Sequence, residues 1–415
     1  MVKDLKCCKR IVVKFGGSSL ADYERMSKAV TAVAKEAEKG TRVVVVVSAM
    51  GKTTDLLLNT AKNASNGKVD KKELDDILAM GERTSIRIFA SALKTNGVET
   101  RYFDPLDGDW PIITDNLFSN ANPVLEECEK RIQQWVLPCV EKGTVPVIAG
   151  FVGRTFDGKV TTLGRGGSDT TAFVLAKALT ADEVVLVTDT DGIMSADPKI
   201  VSNPRRLQEI DVNTLVGLAD SGTKFIHNKA LKYKPPSINV RVINNAHDDL
   251  DEPGTLITGA LSTELDVSMA NPSPVSSVTV VGRGVSENSM IIQNLVESAK
   301  SHSSLQGLSL NGDSIILYVS EEENLLLLLN KIHEIVLKHK EALAMSVKKN
   351  LAFLKVSGVG LEQKHGLIGK ISESLAEIGI NIYGILTITS SILLFVDWDK
   401  REKVLNVIKN SLGRD

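Results

Sequence analysis

The feature that most constrains the fold is a pair of short apolar strands joined by a glycine turn and one helix. Ile11–Phe15 is predicted as a strand that begins with β-branched residues and runs straight into Gly16 and Gly17. Apolar residues then recur at helical spacing up to Gly40. Val43–Val47 follows as an unbroken apolar run, which is typical of a strand covered on both faces. A strand, a helix and a strand in this order predict a parallel βαβ crossover, and hence an α/β layer.

The alternation of strands and helices continues to about residue 260. Val145–Gly150 and Glu183–Thr188 are predicted as further buried strands, with a helix at Thr170–Leu179 between them. A longer helix between about 74 and 94 carries Glu82 near its middle. We therefore expect residues 1–262 to form one α/β domain, with an open, mostly parallel sheet sandwiched by helices.

A different pattern begins after residue 262. Asn271–Pro274 is a turn-forming segment, and two strand–helix–strand blocks of similar length follow it. The first block spans about 277–345 and the second about 351–412, in a weak internal repeat. Each block has the outline of a βαββαβ unit, so residues 263–415 are expected to hold two ferredoxin-like units.

Composition excludes several classes of protein. The chain has 415 residues and a formal net charge of −2, which argues against a nucleic-acid binder that works by bulk positive charge. The longest aliphatic runs, Val43–Val47 and Leu325–Leu329, are far shorter than the ~20 residues that cross a bilayer. The four cysteines form no CxxC pair, which argues against a disulfide framework or a zinc site. The charged N-terminal segment does not read as a secretion signal, so we expect a cytoplasmic protein without nucleic-acid or membrane partners.

Three loops at predicted strand ends carry residue types that suit anions. Lys14 precedes Gly16-Gly17, whose bare backbone and following helix start suit a phosphate. Thr161–Asp169 places three glycines around Arg165 immediately before a helix, which suits a carboxylate or a phosphate. Val187–Pro198 is an acidic loop after a buried strand, where open α/β sheets bind ligands.

Each motif also has a plainer interpretation. The glycine pair is compatible with an ordinary turn, and the loop around Arg165 with a flexible surface loop that Asp169 caps. The acidic loop is compatible with a calcium loop, but it lacks the full spacing and the helix pair of an EF-hand. Glu82 would by default be a solvated helix residue. Its neighbour Gly81 costs a helix interior ~1 kcal/mol relative to alanine, which hints at a close approach.

Together and in this order, the motifs resemble those of the aspartate kinases of the amino-acid-kinase superfamily. The resemblance covers essentially the whole first domain, and the loop LGRGGSDTTA is its most specific part. The matching segments are VVKFGGSSL at 12–20, VVSAMGKTTD at 46–55, GER at 81–83, VIAGF at 147–151, TTLGRGGSDTTA at 161–172, VTDTDGIMSADPKIV at 187–201 and SGTKFIH at 221–227. Residues 263–415 are similar, more loosely, to tandem ACT domains.

The resemblance implies that ATP phosphorylates the side-chain carboxylate of L-aspartate to give 4-phospho-L-aspartate, the first step toward lysine, threonine and methionine. It implies catalytic roles for Lys14, on the transferring phosphate, and for Asp169, which helps to orient Lys14. The implied aspartate-binding residues are Thr53, Glu82, Arg165 and Ser168, with Glu82 facing the substrate ammonium. The implied ATP-binding residues are Lys14, Phe15, Gly16, Gly17, Thr188, Asp189, Met194, Lys199, Lys224 and Phe225. The cofactors are ATP and Mg²⁺, with no protein metal site because ATP carries the magnesium.

The chain departs from the family at two nucleotide-side positions. Met194 stands where the family often has a tyrosine, and Lys199 where it often has an arginine. Lysine keeps the charge but loses the planar fork of the guanidinium, so the contacts to the adenine nucleotide are expected to differ.

For the second domain, the resemblance implies an ACT-mediated homodimer or higher homo-oligomer and feedback inhibition by lysine or threonine. In relatives a strand just after the catalytic domain, here near 266–270, completes the second ACT unit. The first ACT unit is then an insertion.

Two other functions fit parts of the sequence. A related kinase that acts on acetylglutamate or glutamate would share the phosphate loops, but GER at 81–83 and the GRGGSDTTA loop favour aspartate. A non-catalytic amino-acid sensor would keep the second domain, but it would tolerate loss of Lys14, Glu82, Arg165 and Asp189, which are all present. A nicotinamide-dependent dehydrogenase is disfavoured because no GxGxxG follows the first strand.

Overall fold

The computed structural model describes residues 8–197, 200–220, 226–261, 266–322, 324–358, 361, 366–388 and 391–412. The chain divides into two compact units, Met1–Leu261 and Ser262–Asp415. In the ranges that the structure describes, every helix is too short or too polar to span a bilayer.

The first unit is an α/β layer. Its strands are β1 (Arg10–Phe15), β2 (Arg42–Val47), β3 (Thr100–Phe103), β4 (Val145–Ala149), β5 (Val152–Arg154), β6 (Val160–Thr162), β7 (Glu183–Thr188), β8 (Glu209–Asp211), β9 (Asn239–Asn244) and β10 (Thr255–Thr258). Its helices are α1 (Tyr23–Glu38), α2 (Thr53–Ala64), α3 (Lys71–Thr95), α4 (Leu125–Arg131), α5 (Leu137–Glu141), α6 (Gly167–Ala178), α7 (Val212–Asp220) and α8 (Asn228–Leu231).

Eight of these strands form one sheet in the order β3-β4-β2-β1-β7-β9-β10-β8. Every neighbouring pair is parallel except β9 and β10, which confirms the predicted open and mostly parallel sheet. The strands β5 and β6 pair with each other as a separate antiparallel hairpin. The short strands β3, β5, β6, β8 and β10 were not predicted, because three or four residues give too little periodicity to recognise. The six-residue strand β9 was also missed.

The three central strands end level with one another. Phe15 at the end of β1 pairs with Val47 of β2 on one side and with Val187 of β7 on the other. Val43–Val47 is buried throughout, so helices cover both faces of these strands. The loops after the three strands therefore emerge side by side at the carboxyl edge of the sheet, which is where open α/β sheets bind ligands.

Helix α3 is fixed against the sheet by an aromatic contact. The rings of Phe15 on β1 and Phe89 on α3 lie 5.4 Å apart between centroids, and both side chains are buried. Glu82 lies two helical turns before Phe89 on the same helix. The contact therefore sets where Glu82 lies relative to the strand that carries Lys14.

The second unit is antiparallel. Its strands are β11 (Asp266–Met269), β12 (Val275–Val281), β13 (Leu305–Asn311), β14 (Ser314–Ser320), β15 (Ala344–Ser357), β16 (Gly384–Ile388) and β17 (Ser391–Asp397). Its helices are α9 (Ser289–His302), α10 (Leu325–Lys338), α11 (Leu367–Glu377) and α12 (Arg401–Leu412). The strands form one sheet in the order β13-β14-β12-β15-β17-β16, and β11 also pairs with β15.

One long strand belongs to both ferredoxin-like halves of this sheet. The first part of β15 pairs with β12, so that β12, α9, β13, β14, α10 and β15 form one βαββαβ unit. The second part of β15 pairs with β17 and with β11, and with α11, β16 and α12 it forms the other. Asn350, whose φ is +61°, lies between the two parts. The two ferredoxin-like units predicted for this region are confirmed.

We predict that Phe89→Ala lowers the free energy of unfolding of the first unit by about 3–5 kcal/mol, the usual effect of emptying a buried phenylalanine site. Ile88→Ala is the matched control, because Ile88 is the next residue on α3 and its side chain is 41% exposed. Urea unfolding of both variants measures the difference. Equal losses in the two variants would contradict the proposed anchoring of α3.

Candidate active site

The loops at the carboxyl edge of the parallel sheet surround a cleft. Its volume is about 350 Å³. The lining residues come from the ends of β1 and β2, the start of α2, the middle of α3, the turn after β4 and the loop that opens α6. They are Lys14, Gly17, Ser48, Ala49, Gly51, Thr54, Glu82, Phe151, Gly164, Arg165, Gly166, Gly167, Ser168 and Asp169.

Lys14 and Asp169 form an ion pair at the floor of this cleft. The Lys14 Nζ lies 2.8 Å from Asp169 Oδ1, and the two side chains are only 16% and 12% exposed. The pair joins the end of β1 to the first turn of α6. Because both partners have lost most of their water, the carboxylate holds the ammonium in one place instead of leaving it to sample rotamers.

The glycine-rich loop supplies a second cation. Arg165 is exposed to solvent at the mouth of the cleft, whereas Ser168 and Asp169 are buried behind it. The Ser48 hydroxyl donates a hydrogen bond of 2.9 Å to Ser168 Oγ, which connects the loop after β2 to the start of α6. Helix α6 begins at the cleft, so the positive end of its dipole favours an anion there.

Glu82 is a buried carboxylate with one unmet oxygen. It is 2% exposed, and its Oε1 accepts a hydrogen bond of 3.0 Å from the Ala49 amide. Its Oε2 is buried and has no hydrogen-bond partner among the described residues. Burial raises the pKa of Glu82 from 4.5 to about 7. The carboxylate therefore needs a cationic or donating partner from the cleft.

Gly81 explains how α3 comes so close to the loop after β2. A Cβ atom at Gly81 would lie 2.7 Å from the Ala49 Cβ, closer than carbon atoms approach in proteins. The glycine therefore permits the Glu82–Ala49 hydrogen bond, and this contact is the close approach that the mid-helix glycine hinted at.

The predicted nucleotide-side residues that the structure describes lie on neighbouring strand ends. Gly16 donates its backbone N–H to the Val187 carbonyl, directly before Thr188 and the exposed Asp189. Phe15 is buried at the end of β1. Met194 lies further along the loop after β7, where its backbone pairs with that of Arg206 in an isolated antiparallel β-bridge. Lys199, Lys224 and Phe225 lie outside the described residues.

Thr53 is placed differently from the other predicted aspartate-binding residues. Its hydroxyl donates a hydrogen bond of 2.6 Å to the Met50 carbonyl at the start of α2, and it is Thr54 that lines the cleft. The sequence analysis did not single out Ser48, Ala49, Thr54 or Phe151. A signal was available for the first two, because they directly follow the buried strand β2 at the ligand-binding edge.

The described residues provide no protein-only metal site, since no group of three or more His, Cys, Asp or Glu side chains is placed to hold an ion. The cleft instead combines two cationic side chains, a helix N-terminus and two buried carboxylates, of which Asp169 pairs with Lys14 and Glu82 has an oxygen without a partner among the described residues. This combination suits an enzyme that binds a phosphorylated cosubstrate beside a small acceptor carrying both charges.

Comparison with known proteins identifies the class. The profile of the amino acid kinase family matches residues 9–244. The chain is 33% identical to the aspartokinase of Geobacillus stearothermophilus, over 90% of this chain and 89% of that protein. It is 30% identical to the aspartokinase of Mycolicibacterium smegmatis, over 97% of this chain and 96% of that protein.

Solved structures agree. The structure of aspartate kinase from Synechocystis matches with a TM-score of 0.75 and 26% identity, over 98% of this chain and 70% of that chain. The structure of E. coli aspartokinase III in complex with aspartate and ADP matches with a TM-score of 0.56 and 22% identity, over 98% of this chain and 100% of that chain, and shows the shared fold.

The chain is an amino acid kinase, a phosphotransferase whose acceptor is a carboxyl group. Within that class, the chain belongs to the aspartokinase family.

We predict that Glu82→Gln removes a pH-dependent loss of stability. Between pH 4.5 and 7 the unfolded chain has released the Glu82 proton and the folded chain still holds it, so the free energy of unfolding of the wild type falls as pH rises. Relative to the wild type, the variant should gain on the order of 3 kcal/mol across that window. Urea unfolding at pH 4.5 and pH 7.5, without substrate, measures the gain.

Glu73→Gln is the control for this experiment, because Glu73 is an exposed glutamate on the same helix. A gain of the same size in Glu73→Gln, or no gain in Glu82→Gln, would contradict a raised pKa at Glu82.

Proposed function

We propose that this protein transfers the γ-phosphoryl group of ATP to the side-chain carboxylate of L-aspartate, which gives ADP and 4-phospho-L-aspartate. The observation that carries the proposal is the cleft in which Glu82, Arg165 and Lys14 face one small volume. Aspartate carries one ammonium and two carboxylates, so it can match all three groups at once.

The buried carboxylate of Glu82 orients the substrate. Its unmet Oε2 accepts a hydrogen bond from the substrate ammonium, and this contact repays part of the desolvation that raises its pKa. Arg165 binds the α-carboxylate through its planar fork, with the Ser168 hydroxyl beside it. With both ends fixed, the side-chain carboxylate of aspartate points toward Lys14.

The transfer step requires no general base. The substrate carboxylate is already ionised at neutral pH, since its ordinary pKa is about 4. One carboxylate oxygen forms a bond to the γ-phosphorus, the bond from that phosphorus to the bridging β,γ-oxygen breaks, and ADP leaves with the electron pair. The protein must bring two anions together and offset their repulsion, and the ammonium of Lys14 does so where the charge develops.

Asp169 acts through Lys14. The ion pair of 2.8 Å keeps the ammonium at the floor of the cleft when the cleft is empty. On the nucleotide side, we assign Gly16, Gly17, Thr188 and Asp189 to the phosphates and ribose of ATP, because these residues share the edge next to Lys14. Mg²⁺ enters as part of the ATP complex, bound by phosphate oxygens.

We predict that the wild type releases ADP in the presence of aspartate and ATP–Mg²⁺, and that two variants lose different steps. Lys14→Ala should lower kcat about 100- to 1,000-fold with little change in the KM for aspartate. Arg165→Ala should raise the KM for aspartate about 10- to 100-fold, the usual worth of charged hydrogen bonds. Lys177→Ala, at an exposed position near the far end of α6, is the control.

A coupled ADP assay and a hydroxamate assay for the acyl phosphate measure these parameters. Acetylglutamate and glutamate belong in the same panel. Turnover of either one in preference to aspartate would reject the assignment, and so would an unchanged kcat in Lys14→Ala.

We also propose that the second unit is a pair of ACT domains that regulates the enzyme and joins two copies of the chain. All residues that line the catalytic cleft come from the first unit, so the second unit is available for another role. The assignment of lysine or threonine as effector, and of the reaction as the first step toward lysine, threonine and methionine, rests on membership of the aspartokinase family.

We predict that lysine or threonine, added separately at millimolar concentration, lowers the rate at subsaturating aspartate. Alanine at the same concentration is the control. Sedimentation should show a dimer or a higher oligomer. An enzyme that is monomeric and indifferent to both amino acids would refute the regulatory assignment but not the catalytic one.

A further inference from the structure

Two charged side chains outside the cleft, the buried Asp75 and the half-buried Lys229, hold the same pair of chain segments. One segment is 119–121 and the other is 162–163, which leads directly into Gly164 and Arg165. Asp75 holds the first residue of each segment, and Lys229 holds the residues that follow.

Asp75 lies on α3 and is fully buried. Its Oδ2 accepts the backbone N–H groups of Ser119 at 2.8 Å and of Thr162 at 2.9 Å. Its Oδ1 accepts the hydroxyls of the same two residues, at 3.2 Å and 2.8 Å. Four donors around one buried carboxylate make a rigid connection. A shift of either segment would leave a buried carboxylate oxygen without a hydrogen-bond donor, which is costly.

Lys229, on α8, holds the same segments by their carbonyl groups. Its Nζ lies 2.9 Å from the Ala121 carbonyl oxygen and 2.7 Å from the Leu163 carbonyl oxygen. It also lies 3.2 Å from the Asn120 carbonyl oxygen and 2.7 Å from Asn120 Oδ1. The ammonium thus joins α8, segment 119–121 and the residue directly before the glycine-rich loop.

The loop that carries Arg165 starts from this junction. Gly164 has a φ of +73°, and a Cβ atom there would lie 2.7 Å from Asn120 Oδ1. The loop therefore packs against the very residue that Lys229 holds. Asp75 lies seven residues before Glu82 on α3, about two helical turns away on a similar face. The junction consequently connects the helix of Glu82 to the loop of Arg165.

We propose that Asp75 and Lys229 are positioning residues for aspartate, which fix the distance between the two groups that bind the opposite charges of the substrate. The proposal rests on the function proposed above for Glu82 and Arg165. Neither residue lines the cleft, so each acts through the segments that it holds. Loss of either one leaves Lys14 and the nucleotide edge of the sheet in place, and its effect should fall on aspartate rather than on ATP.

The test compares Asp75→Asn and Lys229→Met with two matched controls. Glu36→Gln removes another buried carboxylate, which accepts hydrogen bonds from Thr41 and Lys39 at the end of α1. Lys234→Met removes a buried lysine that, like Lys229, holds backbone carbonyls: its Nζ donates to those of Pro235, Ile238 and Gly259. Both controls lie at the opposite edge of the sheet from the cleft. Glu36 is close to the start of β2, and Lys234 is close to the start of β9.

We expect the KM for aspartate to rise at least 10-fold in both Asp75→Asn and Lys229→Met, and the KM for ATP to stay within twofold of the wild type. Both controls should keep both KM values within twofold, even where their melting temperatures fall equally far. The double variant should raise the KM for aspartate by less than the product of the two single effects, because both residues hold the same segments.

The proposal fails if folded Lys229→Met keeps the wild-type KM for aspartate, or if the controls raise that KM as much as the two test variants. If Asp75→Asn does not fold, Thr162→Val removes one of its four donors and replaces it in the comparison, with a smaller rise expected. Absence of aspartate turnover in the wild type itself would instead reject the proposed function, so the two failures are distinguishable.

Discussion

The arrangement of the first unit depends on the pairing of β1 between β2 and β7, with helices on both faces. Val12, Val44 and Val185 at the centre of these strands have no exposed surface. A charged side chain in such a layer would lose its water without a partner, so the charged groups are confined to the ends of the strands. Because parallel strands all end at the same edge, Lys14, Ser48 and Thr188 come together there although more than a hundred residues separate the first from the last.

The cleft at this edge contains a buried carboxylate, Glu82, that is only partly hydrogen-bonded by the described residues. Glu82 is held by α3 with one oxygen bonded to Ala49 and the other unmet, and burial raises its pKa to about 7. The buried Glu82 carboxylate lowers the free energy of unfolding of the protein. Such a loss of stability is common where a binding site is formed before its ligand binds. The same feature favours a ligand that brings a cationic or hydrogen-bond-donating group to the unmet oxygen.

The second unit is built on a different principle. Its two ferredoxin-like halves share the single strand β15. Asn350, which has a positive φ, lies between the part of β15 that belongs to the first half and the part that belongs to the second. The stacked rings of Phe353 and Phe395, 4.8 Å apart, join β15 to β17 within this sheet. A shared strand connects the two halves by backbone hydrogen bonds, so they belong to one continuous sheet.

The sequence by itself determined the α/β layer, the two ferredoxin-like units and the loops that face the cleft, because buried strands and glycine turns leave short-range patterns. Lys14, Arg165 and Asp169 were found in this way. Only the tertiary structure decided that Glu82 is buried with an unmet oxygen, that Thr54 rather than Thr53 lines the cleft, and that Asp75 and Lys229 hold one junction. The facts about Glu82, Asp75 and Lys229 depend on hydrogen bonds between residues 33 to 109 positions apart in the chain, and local periodicity carries no record of such contacts.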